Sequence, residues 1–176
     1  MSESIFPYSF SLVLTYVLTR LLIPAAPKLG LMDIPCNRKK HTGAIPLVGG
    51  LAIYASIFIC TMLFTQLQIE LLSIITLGGI LTTIGTLDDK YGLSPKLRLI
   101  IQFCAGGLLS YGASIQLQNL GNVIGMGIIQ TGFLAIPLTA IGIAALANAY
   151  NMADGIDGLA ASLGIIGFLG LITCLY

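Results

Sequence analysis

Apolar residues run through this chain in long blocks separated by short polar intervals. A helix crossing a bilayer needs about 20 mostly apolar residues. Six blocks approach that length, at roughly 5–27, 47–65, 70–87, 97–114, 132–150 and 158–176. The pattern predicts an all-α polytopic membrane protein of about six transmembrane helices, forming a single transmembrane domain over residues 1–176. The opening residues carry Glu3 but no Lys or Arg. No small-residue cleavage site followed by a polar domain comes after the first block, so it reads as a first membrane helix and not as a cleaved leader. Segment 115–131 differs from the rest: Ile115-Gln116-Leu117-Gln118 alternates and Gly121-Asn122 is a turn signal, which together predict a short outer-surface hairpin. Gly78-Gly79, Gly106-Gly107, Gly164, Gly167 and Gly170 lie inside the blocks and predict close helix–helix packing.

Composition agrees with that class. The chain is 56% hydrophobic and 9% charged, against about 25% charged in soluble domains, and its mean hydropathy is +0.97. Its partner is the lipid bilayer. A net charge of +1 gives no electrostatic case for nucleic acid. Cys36, Cys60, Cys104 and Cys174 show no CxxC spacing, so they indicate neither a disulfide framework nor a zinc site and read as small apolar residues.

The basic residues fix an orientation. With the N-terminus outside, the connections 28–46, 88–96 and 151–157 are cytoplasmic. They hold Lys28, Arg38, Lys39, Lys40, Lys90 and Lys96, with Arg98 just past one of them. The opposite connections, 66–69 and 115–131, hold no Lys or Arg. That asymmetry is the positive-inside pattern. It also gathers Asp33, Asp88, Asp89, Asp154 and Asp157 on the cytoplasmic face, leaving only Glu3 and Glu70 elsewhere.

Polar groups at a membrane boundary are expensive and usually functional. Residues 148–161 place Asn148, Asn151, Asp154 and Asp157 between two apolar blocks. Asp154 and Asp157 are three apart and in a helical turn would share a face able to take a cation or a sugar–nucleotide edge. A glycine helix stop explains Gly155 and Gly158 but not two acids and two asparagines. Asp88 and Asp89 are adjacent and on a helix would point about 100° apart, which suits different jobs. The plainer alternative for them is a solvated interfacial loop, with Ser94 capping the next helix and Pro95 in its first turn. Arg38-Lys39-Lys40-His41 by itself is the positive-inside signal. His41 is the only histidine, and its ordinary titration range permits catalysis without showing it. Carboxylates beside cations on one face suit a metal–phosphate substrate: Mg²⁺ takes carboxylate oxygens and keeps phosphates and waters as its other ligands, and Lys and Arg neutralise the remaining charge.

Asp33-x-Pro35 with Arg38-Lys39-x-His41, Pro46-x-x-Gly49-Gly50, Asp88-Asp89 with Leu93-Ser94-x-Lys96, and Asn148-x-x-Asn151-x-x-Asp154-Gly155-x-Asp157-Gly158-Leu159 together resemble the polyprenyl-phosphate N-acetylhexosamine-1-phosphate transferases. Order and spacing look most like the bacterial branch that makes undecaprenyl-pyrophosphoryl-GlcNAc. The resemblance implies an enzyme of the bacterial inner membrane. It would transfer GlcNAc-1-phosphate from UDP-GlcNAc to undecaprenyl phosphate, releasing UMP, as the first membrane step of envelope polysaccharide or O-antigen synthesis. It implies Mg²⁺, or Mn²⁺ in its place. It also implies catalytic roles for Asp88 and Asp89 and metal contacts for Asp88 and Asp154. Substrate contacts fall to Lys96, Asn151, Asp157, Arg38 and His41. Members of this family are about twice as long, with further motifs downstream, so the chain looks like the N-terminal half of such an enzyme. It is expected to be inactive alone and to work as a homodimer or with a complementing C-terminal half. The alternative is a non-catalytic truncated or split membrane subunit that binds the lipid carrier or a partner chain. A transporter fits less well, because coupling charges lie near the bilayer midplane and these lie at helix ends.

Overall fold

The computed structural model describes residues 2–34, 43–123, 125, 127–154 and 158–175. Each of the six apolar blocks is helical. Helix α1 (Ser2–Leu22) runs through a 3-10 turn (Ile23–Ala25) into a short α2 (Ala26–Leu29); α3 is Gly49–Phe64, α4 Ile69–Tyr91, α5 Pro95–Gly112, α6 Ala135–Ala153 and α7 Leu159–Leu175. Two strands, β1 (Met32–Asp33) and β2 (Ile45–Pro46), pair antiparallel, with Met32 opposite Pro46 and Asp33 opposite Ile45.

Three stretches are long and apolar enough to cross a membrane: Phe6–Leu29, Ile69–Tyr91 and Gly132–Ala153. Gly49–Phe64 and Leu159–Cys174 are apolar but shorter. Helix α5 has the length of a span but carries Lys96, Arg98 and Gln102 in its first half, and the two cations lower its hydropathy. Length and composition therefore establish a multi-pass membrane protein with three such helices among the described residues.

Packing follows the chain order: α3 lies on α1, α4 on α3, α5 on α4 and α6 on α5. Polar locks and small residues set the contacts. The buried Ser56 hydroxyl of α3 donates to the Ser11 carbonyl of α1 at 2.7 Å, so a polar group away from water keeps a partner. Phe6, Phe10 and Phe64 close the far end of that pair with edge-on ring contacts. On α4, Gly78 and Gly79 leave room for the Tyr54 ring of α3, whose hydroxyl donates to the Ile75 carbonyl at 3.2 Å. Backbones also come close where α5 meets α6: a Cβ at Gly106 would lie 3.0 Å from the Cα of Ala140. The packing role expected of the glycines thus holds at 78, 79 and 106. Gly107, Gly164 and Gly170 have no atom within 4 Å of a Cβ built there, because they face away from the helix pairs that formed. Among the cysteines Cys60 is buried, while Cys104 and Cys174 are exposed on their helices.

The expected hairpin at 115–131 is present. Asn119 and Gln130 bridge antiparallel, and the Leu120 amide donates to the Ile129 carbonyl at 2.9 Å. It joins the C-terminal end of α5 to the N-terminal end of α6. It therefore lies at the opposite end of the bundle from Asp88, Ser94 and Asp154.

Candidate functional site

The site begins at the corner between α4 and α5. Helix α4 stops where Gly92 takes a left-handed φ of 64° and its amide donates to the Asp88 carbonyl at 2.7 Å, a conformation glycine adopts without steric cost. Two residues later Ser94 caps α5: its hydroxyl accepts from the Leu97 amide at 3.3 Å, with Pro95 at the first helical position. The cap predicted from sequence is therefore present. This tight corner folds α5 back beside α4 and brings Arg98, one turn into α5, against the last turn of α4.

Arg98 forms the centre of the site. Its Nη1 donates to Asp88 Oδ2 at 2.6 Å, and its Nη2 donates to Asn148 Oδ1 at 3.0 Å. Asp88 and Arg98 are each only 15% exposed. One planar guanidinium thus clasps the ends of α4 and α6 together, using the fork geometry that Arg has and Lys lacks. Each charge-assisted bond of this kind contributes roughly 1.5–3 kcal/mol. The third guanidinium nitrogen, Nε, is buried without a hydrogen-bond partner among the described residues, as is Oε1 of Gln102 one turn further along α5.

Asp88 and Asp89 both lie on the helical last turn of α4, and they do point differently. Asp88 turns inward to Arg98, while Asp89 is exposed. The next residue, Lys90, reaches the start of the 28–46 connection: its Cε lies 3.5 Å from where a Cβ on Gly30 would be, and its Nζ sits 5.4 Å from the centre of the Tyr91 ring. The base of the 28–46 connection is held at the same end by a buried cluster of Ala26, Leu31 and Val48. Lys96 is exposed on the first turn of α5. Asn151 is exposed in the last turn of α6, and Asp154 is its C-cap, with the Asp154 amide donating to the Tyr150 carbonyl at 3.0 Å. Asn148 also holds a 3.8 Å contact from Nδ2 to Met152 Sδ. Arg38, His41 and Asp157 lie outside the described residues.

Among the described residues, the three acidic groups of the two motifs, Asp88, Asp89 and Asp154, stand at helix C-termini. That is the negative end of the helix dipole, which favours cations by about 0.3–1 kcal/mol per charge and penalises carboxylates in the same measure. At Asp88 the guanidinium answers this. Among the described residues no three His, Cys, Asp or Glu side chains gather into a metal cage. A site for Mg²⁺ does not need one, since that ion is held by one or two carboxylates together with substrate phosphates. Asp88 and Asp154 fit that donor set in type.

The sequence named Arg98 only as a charge near a loop, and its role as the clasp was missed. The available signal was an arginine within Leu97-Arg98-Leu99-Ile100, since a cation on an apolar helix requires a buried partner.

Residues 71–176 match the model of glycosyl transferase family 4. The chain belongs to this family. Over 175 residues it is 32% identical to the undecaprenyl-phosphate alpha-N-acetylglucosaminyl 1-phosphate transferase of Yersinia pestis, covering 99% of this chain and 47% of that protein. Its identity to the protein of the same name in Escherichia coli strain K12 is 37% over 147 residues, covering 83% of this chain and 40% of that one. A Bacillus subtilis protein described as a probable undecaprenyl-phosphate N-acetylglucosaminyl 1-phosphate transferase is 35% identical over 162 residues, 89% of this chain and 44% of that one. This family 4 chain therefore spans less than half the length of these relatives. No solved structure matches it.

Proposed function

We propose that this family 4 chain carries part of the active site of a phosphoglycosyltransferase. The enzyme moves GlcNAc-1-phosphate from UDP-GlcNAc to undecaprenyl phosphate, giving undecaprenyl-pyrophosphoryl-GlcNAc and UMP, at the cytoplasmic face of a bacterial inner membrane. The observation that carries the reading is the Arg98 clasp: it joins the acidic end of α4 to the asparagine–aspartate end of α6, two motifs 60 residues apart in the chain. The names of the relatives supply the substrates.

In this reading the exposed Asp89 meets the lipid phosphate, and Lys96 neutralises phosphate charge. Asn151 and Asp157 border the nucleotide sugar, and Arg38 and His41 bring further positive charge from the 28–46 connection. Asp88 and Asp154 would hold Mg²⁺, or Mn²⁺, which supplies charge neutralisation on the phosphates. Phosphoryl transfer depends mainly on positioning and charge, and that is what a rigid corner, a guanidinium clasp and a basic loop provide. The six apolar blocks are read as six spans with the N-terminus outside. Residues beyond the region shared with the relatives, or a second subunit, complete the site.

The test uses membranes containing the complete protein, in a host deprived of its own transferase, with UDP-GlcNAc labelled in the sugar. Label should pass into butanol-extractable lipid only when undecaprenyl phosphate and a divalent cation are present. Tight lipid binding without label transfer would instead favour a non-catalytic lipid-carrier subunit.

A further inference from the structure

The end of the bundle away from Asp88 carries a feature that the proposed reaction does not use. Between Arg98 and Asp154 the chain has no charged residue at all, although this stretch includes the whole hairpin joining α5 to α6. A connection standing in water ordinarily carries charge, whereas this one carries only amides and hydroxyls among apolar residues.

Three observations concern its surroundings. First, several backbone amides of the hairpin are bonded within it. Leu120 and Ile129 pair across it, Thr131 donates its amide to the Gln118 carbonyl at 3.0 Å, and the Asn119 and Asn122 side chains accept from the Gly121 and Gly127 amides at 3.2 and 3.0 Å. Backbone whose hydrogen bonds are made internally can approach lipid, and backbone that needs water cannot. Second, the hairpin does not stand clear of the bundle. The Leu117 amide donates to Thr139 Oγ1 on α6 at 2.8 Å, and Thr131 Oγ1 donates to the Leu117 carbonyl at 2.6 Å. Thr139 lies four residues into α6, which places Leu117 about 6 Å below the start of that helix. Gly132–Ala153 is long and apolar enough to cross a membrane, so the hairpin is tied to the first turns of a candidate span. Third, large apolar side chains are exposed here beside the amides of Gln118, Asn119, Asn122 and Gln130. Val123 is 72% exposed and Ile128 65%, and Tyr111 and Phe133 flank the base at 78% and 90%. Aromatic rings at such a position are the usual marker of a membrane–water interface.

We propose that the hairpin lies in the lipid interface of the leaflet opposite the active site, with Val123 and Ile128 immersed among the lipids. Its occupant is the bilayer itself, bound through apolar contact and not through headgroup charge, since the hairpin carries no cation. The proposal rests on membrane residence and on none of the proposed chemistry.

The 176 residues hold no tryptophan, so Val123→Trp in the full-length protein reports this position as a difference spectrum against the parent. Ile128→Trp provides a second, independent reporter should the first variant fail to fold. Both are reconstituted in phosphatidylcholine vesicles, with or without phosphatidylglycerol. The expected result is blue-shifted difference emission, quenched by lipid spin-labelled near the headgroup, resistant to aqueous acrylamide and the same in both vesicle types. Red-shifted emission open to acrylamide would place the hairpin in water and overturn the proposal. Emission that neither quencher reaches would show that protein covers it, a second copy or another chain, and would equally overturn it. None of these readings depends on whether the protein transfers GlcNAc-1-phosphate.

Discussion

Arg98 gives the residue scale its sharpest consequence. If one guanidinium holds Asp88 and Asn148 together, Arg98→Lys and Asn148→Ala remove the same link. Each should lower turnover about 10- to 100-fold, the usual effect of losing a residue that orients a ligand-bearing carboxylate. KM for the nucleotide sugar should stay close to its original value. The double variant should be little worse than either single one, because contacts that share a bond are not additive. Multiplying effects in the four-protein cycle would show that the two residues act separately. The acidic positions were legible in the sequence because charge at a membrane edge stands out against an apolar background. The clasp was not, because Arg98 and Asn148 are 50 residues apart and only the fold of α4, α5 and α6 reveals that they meet.

At the scale of elements, the length of the apolar blocks gave the helices, and Ser94-Pro95 gave the start of α5. Alternation with Gly121-Asn122 gave the hairpin. These are local signals, and local physics decides them. The role of each glycine is not local. Gly106 and Gly107 are neighbours with the same sequence environment, yet one faces Ala140 and Ile143 of α6 and the other faces open space. Gly106→Ala should therefore destabilise the protein by roughly 1–3 kcal/mol, as overpacking does. Gly107→Ala should be neutral, or stabilising by up to about 1 kcal/mol from helix propensity. Thermal denaturation in detergent reads both. Equal losses at the two positions would show that α5 is not rotated as described. The span count had the opposite difficulty. Helix α5 looks like a span by length, but Lys96 and Arg98 in its first turn remove it from the strictly apolar class.

At the scale of the whole molecule, the one-sided distribution of Lys and Arg predicts that the 28–46 and 88–96 connections face the cytoplasm. Single cysteines placed at Lys40 or Lys90 should stay unlabelled by an impermeant reagent applied to intact cells and react once the membrane is opened. Labelling from outside would invert the topology. The convergence of three distant segments at one end of the bundle is the central claim, and its most direct test is UMP release. Purified complete protein, UDP-GlcNAc, undecaprenyl phosphate and Mg²⁺ should release one UMP for each lipid product. Asp88→Asn, Asp89→Asn and Asp154→Asn should each reduce that rate about 100-fold or more, since the amide keeps the shape and removes the charge. Near-normal UMP release from all three variants, at equal protein level and saturating Mg²⁺, would contradict the assignment of this end of the molecule as the site of the reaction.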